Sequence, residues 1–421
     1  MAPIRGNGSR PNIARTRVLA LATRLQKAKS GAPPNPLREV GQGAQAVAWS
    51  QRSEVTPKAK AATQARAFLK PGAQLTIDGV TDPNQAFGQV RDFLAAQLGR
   101  DPRGLEVTRG PGRNRDPVYL VRDKGEAIGV FKIFVEPKLA DVEVMLLNEF
   151  KKVRSLVPVE VRGTAEVMWN GTAQRGVFME MVDRHSAGRQ LTQLPPAGPK
   201  RAAGLKLAEK DIALIGAGLG DFHQQFASGR EFSASVKKDI IAGLANAPAG
   251  SKSKFTQALE KWPGLKPELG PILERFKTEL FPRFEKARLP ETALHGDATA
   301  YNFSVGSDGR ARVYDVGTMR LGFSADGKVN SNGIFDVGRY VQSLASLTGA
   351  DGKVALAPLE VVRMQKSFMK GYERTGKLTP EMRKAVSFTR ADFELAVVRF
   401  SRSEAEAKGA MLRLKAILDE K

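Results

Sequence analysis

The nine residues Leu294–Asn302 (LHGDATAYN) carry the densest group of chemically capable side chains: His295, Asp297 and Asn302, joined by Asp315 so that all four fall within 21 positions. Two brief strand signals, Phe303–Val305 and Arg312–Asp315, flank the turn sequence GSDGRA, and a hairpin there folds Asp315 back toward Asn302. This supplies one carboxylate able to act as a base, and a second carboxylate that, with an amide oxygen, can hold a hard divalent cation. Mg²⁺ suits such sparse oxygen ligation when a nucleotide provides the remaining ligands. Taken singly, each Asp or Asn is an ordinary loop or capping residue; as a set they point to chemistry.

Around this cluster the chain divides into two blocks. Asp82-Pro83 followed by Phe87, Val90, Phe93, Leu94 and Leu98 reads as a capped amphipathic helix. Leu105–Thr108, Val118–Arg122 and Ile128–Phe134 are short runs rich in Val, Ile, Phe and Tyr between turn signals, and they predict three antiparallel strands. Leu139–Val157 has helical spacing, and strands are expected again at Ala165–Trp169 and Gly176–Met181, with Asn170-Gly171 as a hairpin turn. Residues 195–290 are mostly helical, as is Ile334–Lys421, where Thr379-Pro380-Glu381 marks a helix start. Strands early and helices late predict an α+β chain: a small antiparallel-sheet lobe at 81–182 and a larger, mainly helical lobe at 183–421.

Composition narrows the chemistry. With no cysteine, the 421 residues hold no disulfide, Cys-ligated zinc, iron–sulfur cluster or thiol nucleophile, and three histidines are too few for a His-rich metal centre. Lys and Arg number 66 against 44 Asp and Glu, a net charge of +22 that favours anionic partners. Residues 1–80 are rich in Ala, Gly, Pro, Ser and Gln and have no acidic residue before Glu39. They read as a basic, disordered leader, or as an arm for nucleic acid or a membrane surface, or as an address for import or export. No run approaches the roughly 20 apolar residues that span a bilayer, so the cytoplasm is the expected location unless the leader directs otherwise.

HGDxxxxN followed by Asp315 in Tyr314–Gly317 resembles the catalytic and metal-binding loops of kinase-like phosphotransferases, most closely the aminoglycoside and choline kinase branch, which reads HGD where protein kinases read HRD. The resemblance implies a protein-kinase-like bilobal fold and use of ATP with Mg²⁺. It implies that Asp297, with His295 beside it, is catalytic, Asp297 orienting or deprotonating an acceptor hydroxyl, and that Asn302 and Asp315 hold the metal. Val130–Phe134 resembles the strand that places a lysine, here Lys132, on the α- and β-phosphates; Glu149 is the expected ion-pair partner, preferred to Glu143. Phe178–Val182 resembles the hinge strand that grips adenine, through Glu180 and Met181. Leu219–His223 is similar to the family's LxxLH helix, with a structural His, and Phe335–Arg339 to the DxxR element that braces the catalytic loop. Phe368–Tyr372 resembles a common late helix.

The likeness covers about residues 105–375 and departs from the pattern in places. Gly110 and Gly112 offer backbone N–H groups to phosphate without a full GxGxxG. The metal loop reads AspValGly, and no AlaProGlu follows it, which disfavours a regulated protein-kinase segment. The expected activity is γ-phosphoryl transfer to a hydroxyl on a small molecule or macromolecule, with a neutral or anionic acceptor favoured by the net charge. The alternatives are a catalytically inactive kinase-like scaffold and a basic nucleic-acid-binding protein.

Overall fold

A computed structural model describes residues 68–110, 116–151, 153–181, 185–246, 251–316, 331–349 and 354–420. Most of the basic leader, Gly112 and residues 317–330, which include most of the Gly- and Asn-rich insertion after the metal loop, lie outside the described residues.

The first block is a six-stranded sheet: β1 (Ala73–Ile77), β2 (Leu105–Arg109), β3 (Val118–Asp123), β4 (Glu126–Phe134), β6 (Val161–Trp169) and β7 (Thr172–Met179), in the order β1-β6-β7-β4-β3-β2. β1 lies parallel to β6, and the other pairings are antiparallel. Asn170 and Gly171 take φ of +47° and +76°, as a two-residue hairpin turn between right-twisted strands requires. Helix α1 (Phe87–Leu98) covers one face, burying Val90, Phe93 and Leu94 against Ile77, Phe131 and Phe178. β1 corrects the expected leader boundary at residue 80. Ala73, Leu75 and Ile77 are buried while Gln74 and Thr76 are exposed, a period-two pattern that seats the strand on β6.

Helix α2 (Pro137–Phe150) is shorter than its apolar spacing suggested. The segment behind it leaves the helix because Leu156–Pro158 becomes strand β5, which pairs in parallel with β11 (Ala311–Val313); β10 (Phe303–Val305) completes this second, three-stranded sheet. Sheet pairing here overrides a helical pattern.

The second block is helical: α3 (Ala187–Thr192), α4 (Pro199–Gln225), α5 (Ala234–Ala245), α6 (Lys254–Lys261), α7 (Lys266–Arg275), running through a π-turn into α8 (Phe281–Lys286), then α9 (Ile334–Ala345), α10 (Pro358–Thr375), α11 (Pro380–Phe400) and α12 (Glu404–Asp419). Strands β8 (Ala227–Glu231) and β9 (Pro290–Thr292) form a small ribbon beside them. The expected α+β architecture of sheet lobe and helical lobe is thus the one the chain adopts. Its main core runs through the helices and reaches up to α2, where Phe150 stacks on Phe222 of α4 with ring centroids 4.7 Å apart.

Helices α4 and α10 pack backbone to backbone. A Cβ at Gly371 would stand 1.9 Å from the Ala213 carbonyl oxygen, and one at Gly216 would stand 2.3 Å from that of Phe368. Gly371→Ala is therefore expected to destabilise the fold by about 1–3 kcal/mol through overpacking. Gly243→Ala on α5, where a Cβ meets nothing within 4 Å, should stabilise it by up to about 1 kcal/mol through helix propensity. Thermal melts of the two variants should shift in opposite directions, and equal shifts would contradict the close crossing.

Candidate active site

Two loops, each leaving a short strand, build the site. The first runs from β9 through His295–Asn302 into β10, and the second is Tyr314–Val316 at the end of β11. The β10–β11 hairpin brings them together as the sequence predicted: the Tyr314 N–H donates to the Asn302 carbonyl at 3.0 Å. Asp315 then takes φ of +50°, a left-handed conformation that Asp and Asn tolerate better than most residues, and its carboxylate meets the sheet lobe.

The meeting partner is Lys132 on β4. Its Nζ donates to Glu143 Oε2 at 2.9 Å and to Asp315 Oδ1 at 3.2 Å. Burial alone would push the ammonium down, but the carboxylates of Asp315 and Glu143 outweigh it and hold the group above the usual lysine range. Lys132 is thus fully charged at neutral pH. Glu143 of α2 is the helix partner; the side chain of Glu149, the expected partner, lies outside what the structure describes. Six residues separate the two, which sets their positions about 120° apart around the helix and about 9 Å apart along it.

Asp297 is held from both sides. Arg339 Nη1 of α9 donates to its Oδ1 at 2.9 Å, and Asn302 Nδ2 donates to its Oδ2 at 3.0 Å and to its carbonyl at 2.7 Å. With its NH₂ group committed to Asp297, Asn302 has Oδ1 as the atom to offer a cation. Asn302 Oδ1 and the half-exposed Asp315 carboxylate are hard oxygen donors from adjacent loops. They fit Mg²⁺ completed by phosphate and water.

His295 does not share that exposure. It is fully buried, its Nε2 lies 2.9 Å from the Tyr314 carbonyl, and its Nδ1 accepts from the Asp297 N–H at 3.3 Å. The ring therefore joins the two loops, which corrects the expectation of a catalytic role. Beneath it, Asp336 accepts from the N–H groups of His295 at 2.6 Å and Gly296 at 2.9 Å, and from His223 Nε2 at 3.0 Å. The DxxR element thus braces the loop at two points, Asp336 on its backbone and Arg339 on Asp297. Ser343 of α9, which sequence reasoning missed, also holds the loop: its Oγ accepts from the Ala300 N–H at 3.0 Å.

Two nucleotide-binding expectations change. The Gly110 N–H is spent on the Val118 carbonyl at 2.7 Å, and a Cβ there would meet Val118 Cγ1 at 2.8 Å; this glycine serves strand pairing and gives no N–H to phosphate. Glu180 donates its N–H to the Glu160 carbonyl at 2.8 Å, and its carboxylate accepts from the Glu160 N–H at 3.1 Å. That locks the segment after β7 to the approach to β6, so Glu180 is not an N–H donor to a base. Met181 follows it, half-buried.

No family model matches the chain, and no curated protein matches it in sequence. Solved structures similar to it include a thermostable mutant of aminoglycoside phosphotransferase APH(4)-Ia, at 11% identity and a TM-score of 0.47, covering 78% of this chain and 98% of that one. A glucosamine kinase in complex with glucosamine, ADP and inorganic phosphate is similar at 14% identity and a TM-score of 0.46, over 80% and 87%. Choline kinase from Cryptosporidium parvum Iowa II is similar at 13% and 0.42, over 80% and 95%. The structural neighbours are thus kinase-like phosphotransferases of the aminoglycoside and choline kinase type, all at low identity.

Burial pushes the Asp336 carboxyl up, but the hydrogen bond from His223, with that from the His295 N–H, outweighs it and holds the group below the usual aspartate range. A depressed folded value stabilises the fold above the unfolded value near 4 and is lost as pH falls through the folded one. Asp336→Asn should therefore destabilise the chain at pH 7 by about 2–4 kcal/mol, because buried donors lose their charged acceptor. The deficit relative to wild type should shrink below about pH 4, as denaturant melts across pH would show; a pH-independent deficit would contradict an ionised Asp336.

Proposed function

We propose that this chain is an ATP-dependent phosphotransferase that moves the γ-phosphoryl group to a hydroxyl of a small molecule or macromolecule. The observation that carries the reading is the contact of Lys132 with Asp315 at 3.2 Å. It joins residues 183 positions apart and ties a charged lysine to the pair of loops that carry Asn302, Asp315 and the braced carboxylate of Asp297.

In this reading Lys132, oriented by Glu143, binds the phosphates of ATP. Asn302 and Asp315 would hold Mg²⁺, which supplies charge neutralisation on those phosphates when bound. Asp297 orients the acceptor hydroxyl and takes its proton as the acceptor oxygen bonds to the γ-phosphorus. The bond from that phosphorus to the β-bridging oxygen breaks, and ADP leaves with the electron pair. Arg339 and Asn302 fix the carboxylate's direction, so that its geometry is set before substrate arrives. Lys132 and Arg339 contribute positive charge where the phosphoryl group develops negative charge.

The test is transfer of labelled γ-phosphate from ATP with Mg²⁺ into a cell extract separated into small-molecule, protein and nucleic-acid fractions. Wild type should label one fraction. Asp297→Asn should lower that transfer by at least about 10²-fold, the usual scale of general-base removal, with nucleotide binding kept. Asp315→Asn should weaken Mg²⁺-dependent ATP binding as well as turnover. Normal turnover in both variants would remove the assignment; ATP binding without transfer by wild type would favour the inactive-scaffold alternative.

A further inference from the structure

Two buried side chains that the phosphotransfer steps do not use form a line into the base loop. Tyr372, near the end of α10, and His223, near the end of α4, are 2% and 1% exposed. The Tyr372 hydroxyl lies 2.9 Å from His223 Nδ1, and His223 Nε2 lies 3.0 Å from Asp336 Oδ2. From Asp336 the line continues to the N–H groups of His295 and Gly296, the two peptide units ahead of Asp297. The glycine crossing of α4 and α10 brings Tyr372 within reach. Space is closed on another side of the ring, since a Cβ at Gly333 would stand 2.4 Å from His223 Nδ1.

Proton accounting fixes the direction of each bond. Asp336 accepts from two peptide N–H groups, so it faces His223 as an acceptor, and Nε2 must carry the proton. Nδ1 is then either an acceptor, in a neutral ring, or a second donor, in a charged one. Burial and the nearby Asp336 charge push the Tyr372 phenol well above its usual range, so its proton is present to be donated.

We propose that Tyr372 is a positioning residue for Asp297: its hydroxyl donates to His223 Nδ1, fixes the ring as the neutral Nε2–H tautomer, and secures the third hydrogen bond that holds Asp336 on the base loop. The inference rests on the phosphotransfer reading of Asp297 and deepens it. Without the hydroxyl, a buried Nδ1 loses its donor, and the ring can relax to the opposite tautomer, which turns a lone pair toward the Asp336 carboxylate. The Asp336 grip then loosens, and the error reaches Asp297.

The test uses the full chain with Tyr372→Phe, His223→Gln and the double variant. Tyr372→Phe should lower kcat roughly tenfold while KM for ATP stays within about twofold, the pattern of a change felt in the transition state alone. Glutamine can present an N–H to Asp336 without needing Tyr372, so in the His223→Gln background the same change should cost less than about twofold. Equal losses in both backgrounds would overturn the proposal and leave Tyr372 a packing residue. With three histidines in the chain, ring ¹⁵N spectra of wild type report the tautomer directly; a doubly protonated or Nδ1–H His223 would also overturn it, whether or not the variants fold. Amide hydrogen exchange at His295 and Gly296 should quicken in Tyr372→Phe, and this needs no turnover. Quickened exchange in a chain that transfers no phosphate would support the line of bonds and remove the phosphotransfer reading, whereas unchanged exchange would overturn the line even with normal turnover.

Discussion

One buried carboxylate sets the terms for the site. Asp336 lies in the first turn of α9 at 1% exposure, where an isolated charge would be strongly unfavourable. Three N–H donors and the N-terminal end of its helix make it tolerable. Because two of those donors are main-chain groups of the base loop, the requirement to solvate Asp336 is also the requirement that fixes the loop. Three residues on, one helical turn further, Arg339 reaches Asp297. A single helix thus controls both the backbone and the charge of the candidate base.

The sheet lobe has a matching constraint in Lys132. Its ammonium, 15% exposed, lies between one buried and one half-exposed carboxylate and 4.4 Å from the centre of the Phe134 ring. Glu143 is the fixed partner, on a helix packed within the protein. Asp315 is the half-exposed partner, carried by the loop that follows β11. Lys132 and Arg339 thus face three carboxylates, those of Glu143, Asp315 and Asp297, an excess of one formal negative charge before any ligand enters.

Much of this was legible in the sequence, and the limits follow from geometry. HGDATAYN and the hairpin that returns Asp315 to Asn302 depend on local turns and short strands, and local signals are what a sequence displays. The choice between Glu149 and Glu143 depends on which face of α2 turns to β4, a long-range docking that helical periodicity leaves open. His295 falls in the same category: its identity suggests acid–base work, while its complete burial and its bonds to two loops make it a joint. Gly110 carried the composition of a phosphate loop, yet it sits in the β2–β3 pairing. β1 was hidden because its five alternating residues follow a long stretch of low-complexity composition, and its partner strand lies some 90 positions further along the chain.

Strand β5 begins six residues after α2 ends, and it is hydrogen-bonded to β11, the strand that leads into Asp315. Both carboxylates that Lys132 contacts are thereby carried by a common framework, one through the helix that feeds β5 and the other through the strand beside it. β4 is thereby tied to that framework at two points through one side chain, the Lys132 ammonium.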